Sequence, residues 1–120
     1  RTLLESGTII PGISYLQAQQ VRRKFRHEME SAIRNVDVLL TPSTPAEAPR
    51  DLTTTGDPIF QIPWTTCGFP SITLPSGLSS NGLPLGIQLA SNLYDEKTLL
   101  WAGSWCEQVL KDMPLPSTNA

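Results

Sequence analysis

Ser79-Ser80, Cys67 and His27 are the side chains of this sequence from which nucleophilic or acid–base chemistry could start. A nucleophilic serine needs a base beside it to take its proton, and one of the three lysines could form a Ser-Lys pair with Ser79 or Ser80. Both serines, however, belong to Ser79-Ser80-Asn81-Gly82, a turn sequence with its own structural use for them. No glycine-rich oxyanion-binding stretch accompanies them. Cys67 lies between Thr66 and Gly68 with no cationic residue close in sequence to lower its pKa. His27 is the single histidine, falls beside Arg23 away from the apolar face of its helix, and has no second ligand at zinc spacing. No two acidic residues share the apolar setting a working carboxylate pair needs. The cluster Arg22-Arg23-Lys24-Phe25-Arg26-His27 spreads its charges around a helix, with Arg26 and Glu30 spaced to pair. It reads as a solvated face rather than a nucleic-acid site. The residues therefore offer neither a catalytic set nor a metal site.

Composition agrees with that restraint. A net charge of −2 gives no electrostatic footprint for nucleic acid or an anionic membrane, and no apolar run approaches a bilayer span. Hydrophobic residues at 39% and charged residues at 17% fit a folded chain of one domain. At 120 residues such a domain buries about two-thirds of its unfolded surface. Cys67 and Cys106 read as free thiols in a reducing, cytoplasmic setting rather than as a disulfide. The opening Arg-Thr-Leu-Leu-Glu-Ser-Gly is neither a secretory segment nor a start context, so the chain reads as beginning mid-stream.

The elements that would position any site follow from periodicity. Ser14-x-x-Gln17 predicts a capping box opening a helix over 15–34, its apolar face formed by Ala18, Val21, Phe25, Met29, Ala32 and Val36. A short apolar run closed by Pro42 predicts a strand over 38–41. Pro, Thr, Ala and Gly dominate residues 43–57, a long loop of the kind that serves active sites or interfaces or else is disordered. Strands are expected over 71–75 and 85–90, reversed by Asn81-Gly82 at positive φ, with Gly68 and Gly86 allowing close backbone approach. Asp95 caps a second helix over 96–111, with Leu99, Gly103, Cys106 and Leu110 on its apolar face and Ala102, Val109 and Met113 alongside. Trp101 and Trp105 occupy a neighbouring flank, so this helix expects cover on two sides. Residues 1–113 form one segment and 114–120 a frayed tail.

Four of these stretches, in order, resemble the C-terminal portion of the amidase signature family. They are the helix Tyr15-Leu16-Gln17-Ala18-Gln19-Gln20-Val21-Arg22, the strand Asp37-Val-Leu-Leu-Thr-Pro, and Gly68-Phe-Pro-Ser-Ile-Thr-Leu-Pro-Ser-Gly with Leu83-Pro-Leu-Gly-Ile-Gln-Leu, followed by Asp95-Glu96-x-x-Leu99-Leu100. The resemblance covers about 7–107. It implies an α/β fold, a mixed sheet with flanking helices, present here in part. It implies hydrolysis of linear amides by a Ser–cis-Ser–Lys triad without a cofactor, and the triad's three residues lie N-terminal to the matched region. By that reading this chain has no catalytic residue and contributes scaffold and pocket wall, its partner being the remainder of an amidase chain or a second copy.

The family's loop before the Gly-x-Pro strand approaches the acyl side of the bound amide. That position makes Asp57, Phe60, Trp64, Thr65, Thr66 and Cys67 the candidate substrate-binding residues, with core packing as the alternative for Trp64 to Cys67. Relatives that amidate charged tRNA tend to carry Asn-Leu-Ala-Gly where this chain has Thr65-Thr66-Cys67-Gly68, and an acidic residue near, but one position off, Asp57. The departure favours a general amidase over an A-type subunit of a glutamine-dependent aminoacyl-tRNA amidotransferase. A non-catalytic interaction module derived from the fold is a third alternative.

Overall fold

The computed structural model describes residues 7–112 and Pro114; Met113 and most of the expected tail lie outside the described residues. Helix α1 spans Gly12–Ile33. It begins two residues before Ser14, with Pro11 at its N-cap and no side-chain cap. Pro11 at φ −58° is already set for helix entry, and its carbonyl accepts from Ser14 and Tyr15 N–H at 2.9 and 3.2 Å. Ser14 is thus inside the first turn, and the expected capping box does not form. The packed stripe of α1 is Phe25, Met29 and Ile33, whereas Ala18, Val21, Ala32 and Val36 are exposed. Period 3.6 continues from Met29 to Ile33 as well as to Ala32, and only the C-terminal half of the helix reaches the body of the protein.

Strand β1, Leu39–Pro42, leads into the long connection, which ends in an unanticipated short helix α2, Ile62–Cys67. Pro63 sits in its first turn and Gly68 closes it in the left-handed region at φ 76°. Strand β2 runs Ser71–Leu78 and β3 runs Pro84–Ala90. The extra length of β2 comes from a bulge: Pro75 pairs with Gly86 and Gly77 with Leu85, leaving Ser76 unmatched. Only Gly82 of the Asn81-Gly82 pair takes positive φ, at 78°. The turn is the longer kind in which a left-handed glycine follows three ordinary residues, and Ser79 N–H donates to the Leu83 carbonyl at 2.8 Å.

Sheet order is β1-β3-β2, and both pairs are antiparallel, so no parallel pairing of a mixed sheet occurs among the described strands. Alternation along the strands sends Ile72, Leu74, Ile87 and Leu89 to one face, covered by helix α3, Glu96–Leu110. Asp95 caps α3 by accepting from Thr98 N–H at 3.4 Å, and Leu99, Ala102 and Gly103 are its buried residues. Val109 is exposed rather than alongside the core. On the other face Ala90 and Leu39 pack with Ile33, Trp64, Cys67 and Phe69 beneath α1 and α2. No helix among the described residues is long and apolar enough to cross a membrane.

Candidate functional site

The connection of residues 43–61 starts and ends on Ser43. Its N–H donates to the Gly86 carbonyl at 2.9 Å, its hydroxyl lies 3.4 Å from Thr73 Oγ1, and Gln61 Nε2 donates to its carbonyl. A Cβ on Gly86 would stand 2.8 Å from Ser43 Oγ and 3.1 Å from Thr73 Cγ2, so this seat needs glycine. Between the connection and the ends of β2 and β3 opens a cleft of about 580 Å³, walled on one side by Pro45, Glu47 and Asp57 and on the other by Leu74, Pro75 and Leu85. Apolar walls with a few polar groups are the ordinary makeup of a small-molecule site.

The six expected substrate-binding residues are not brought together. Asp57 lines the cleft, exposed, with its Oδ1 accepting from Ile59 N–H at 3.0 Å. Phe60 is half-buried and Thr65 exposed. Thr66 turns its carbonyl to Arg22, whose Nε donates to it at 2.7 Å. Trp64, 6% exposed, and Cys67, fully buried, point into the core with Ile33, Phe69 and Ala90. Trp64 Nε1 has no hydrogen-bond partner among the described residues, and neither have Gln61 Oε1 and Thr41 Oγ1. Ser43 and Glu47, which shape the cleft, fall in the loop expected to serve a site but were not singled out in it, and Thr73 on β2 gave no signal.

Neither Cys67 nor Ser79 is set up as a nucleophile. Burial pushes the Cys67 thiol up, against a smaller downward pull from Arg26, while Glu30 and Arg22 exert weaker and opposite effects. Both arginines come from α1, which sequence distance had hidden. Arg26 lies against Gly68, its Nη2 3.3 Å from where a Cβ would be, so the ion pair on α1 is Lys24–Glu28 at 3.9 Å instead of Arg26–Glu30. Together Arg22 and Arg26 meet the C-terminal end of α2, where free carbonyls favour cations. An alkylating reagent at neutral pH is expected to label Cys106, which is half-buried, well before Cys67 in the folded chain. Equal rates, read by peptide mass, would contradict the enclosed thiol. Ser79 Oγ accepts from Asn81 N–H at 3.2 Å and Leu83 N–H at 3.3 Å and is part of the turn. Among the described residues no group of three His, Cys, Asp or Glu is placed to hold a metal.

Residues 6–100 match the sequence profile of the Amidase family. The chain belongs to the amidase signature family. The A subunit of the glutamyl-tRNA(Gln) amidotransferase of Rhodospirillum rubrum is 45% identical over 96 residues, which are 74% of this chain and 19% of that protein. Its counterpart in Prochlorococcus marinus is 40% identical over 106 residues, 82% of this chain and 22% of that protein. This member of the amidase family thus spans about a fifth of the length of the curated relatives it matches. Among solved structures, an amidase superposes with a TM-score of 0.82 at 28% identity, over 92% of this chain and 28% of that one. The glutamyl-tRNA(Gln) amidotransferase A subunit of Thermotoga maritima superposes with a TM-score of 0.70 at 27% identity, over 100% of this chain and 30% of that one.

Proposed function

We propose that this chain is a C-terminal portion of an amidase that hydrolyses linear carboxylic amides, and that it supplies scaffold and part of the acyl-side pocket wall. The catalytic Ser-Ser-Lys residues belong to the remainder of the amidase. The observation that carries this reading is the fit of 92% of the chain to 28% of an amidase, with a cleft on the connection that leads to α2. Within that reading Asp57 faces the substrate, and Trp64 and Cys67 stiffen the wall from behind. Thr65-Thr66-Cys67 in place of Asn-Leu-Ala favours a general amide over glutamine.

A serine-directed fluorophosphonate is expected to leave this chain unlabelled, and a simple aryl amide is expected to remain intact in its presence. Stoichiometric labelling at Ser79 or Ser80 accompanied by turnover would overturn the assignment. The identity of the curated relatives supports a second reading, a portion of an A-type amidotransferase subunit. Assays of a full-length protein carrying this segment separate the two. Aryl-amide hydrolysis without glutamine-dependent ammonia release supports the amidase; preferential ammonia release from glutamine supports the amidotransferase.

A further inference from the structure

We propose that residues 44–57 form a strap that closes the cleft and that Glu47, gripped by the tip of the β2–β3 hairpin, is its latch. The strap is held at fixed ends, by Ser43 on Gly86 and by Gln61 on Ser43. Between those ends its other hydrogen bonds are local. Thr44 Oγ1 donates to the Ala46 carbonyl at 2.7 Å, Thr53 N–H and Oγ1 donate to Asp51 Oδ1 at 2.9 and 2.7 Å, and Gly56 N–H donates to Thr54 Oγ1 at 3.1 Å. Its middle is tied to the hairpin at Glu47, where Asn81 Nδ2 donates to Oε1 at 2.6 Å across 34 positions of sequence and the Ser79 hydroxyl holds the same carboxyl. Pro45, Ala46, Ala48 and Pro49 on the strap line the cleft with Pro75, Pro84 and Leu85 on the strands, so releasing Glu47 from the hairpin separates the two walls.

The grip is charge-assisted. Hydrogen bonds from Ser79 and from Asn81 hold the Glu47 carboxyl below the usual carboxylate range, and Arg50 adds a smaller pull. The Ser79 oxygen already accepts two backbone N–H groups, which leaves its own proton for Glu47. Arg50 is the charged group that the strap itself turns on Glu47, and the hairpin offers the neutral Ser79 and Asn81. Because the folded carboxyl is depressed, the latch is closed above the ordinary carboxylate range and weakens as pH falls through the lowered value. This gate is independent of what the cleft binds and of whether the parent is an amidase or an amidotransferase.

The test uses the full chain and trypsin at pH 8, timing cleavage after Arg50 in the strap against cleavage after Arg22, Arg23 and Lys24 in α1. Glu47→Ala is expected to speed cleavage after Arg50 about fivefold and Asn81→Ala, which leaves the Ser79 bond in place, about twofold, both with the α1 sites unchanged. Glu47→Gln keeps an acceptor but loses the charge, so it is expected to cut faster than the original chain and more slowly than Glu47→Ala. In amide NMR spectra the Asn81 side-chain signals are expected to titrate with a midpoint below that of a free glutamate, and not to titrate in Glu47→Gln. Unchanged cleavage after Arg50 in both alanine variants would overturn the latch. So would a rise at the α1 sites in step with Arg50, or Asn81 signals that do not respond to acid.

Discussion

Trp64→Ala is expected to remove about 3–5 kcal/mol of stability, the cost of emptying a buried aromatic site, and to lower the unfolding midpoint of the chain accordingly. A domain of this size has only about 5–15 kcal/mol in total, so the loss runs from about a fifth of that margin to all of it. The indole fills the space between α1, α2 and the sheet, against Ile33, Cys67, Phe69 and Ala90. Truncation removes contacts from both helices at once, because α1 reaches the body only through its C-terminal half. Trp64→Phe is expected to cost much less, since it keeps most of the apolar volume and deletes an indole N–H that has no partner among the described residues. Denaturant unfolding followed by far-ultraviolet circular dichroism reads both variants. An unchanged midpoint for Trp64→Ala would mean that the ring is not holding the core and is free to face a ligand.

That prediction separates two roles which the sequence left side by side at Trp64. Residues 57–67 were readable as one loop because Pro63 and the pair Thr65-Thr66 are poor helix formers, and six residues are too few to show a period. Gly68 was the missed clue: a glycine just past a short apolar run is as good a helix stop as a strand opener. Once α2 exists, its turn of 100° per residue sends Trp64 and Cys67 inward and Thr65 outward, and the six candidate residues part company. Local signals did better where a single residue decides the backbone. Asp95 caps α3 as its spacing required, and Gly86 lies where a side chain would strike Ser43. Ser14 failed for the same kind of reason, since Pro11 upstream supplied a better entry to α1. The Glu47–Asn81 bond spans 34 positions and joins two turn-rich stretches, so no pattern along the chain could announce it.

The second large effect concerns the outer flank of α3. Leu99, Ala102 and Gly103 face the sheet closely enough that a Cβ on Gly103 would meet Ile72 Cδ1 at 3.5 Å. One flank round the helix, Trp101, Trp105 and Val109 recur at steps of four and are 73%, 61% and 63% exposed. Leu40, on the α3 side of β1, is 60% exposed, so the apolar surface is not confined to the helix. Indole rings bury about 150–250 Å² each when covered, which places two of them at the size where an uncovered patch marks an interface. The isolated chain is therefore expected to self-associate and to bind a dye that reports apolar surface. Trp101→Glu combined with Trp105→Glu is expected to return it to a monomer and to suppress dye binding. The same pair should move the denaturation midpoint little, since exposed positions typically change stability by about 0.5 kcal/mol or less. Sedimentation velocity of both chains over a range of concentrations decides the matter. A monomer at every concentration with a cooperative melt and no dye binding, in the chain that keeps both tryptophans, would show that this flank needs no partner.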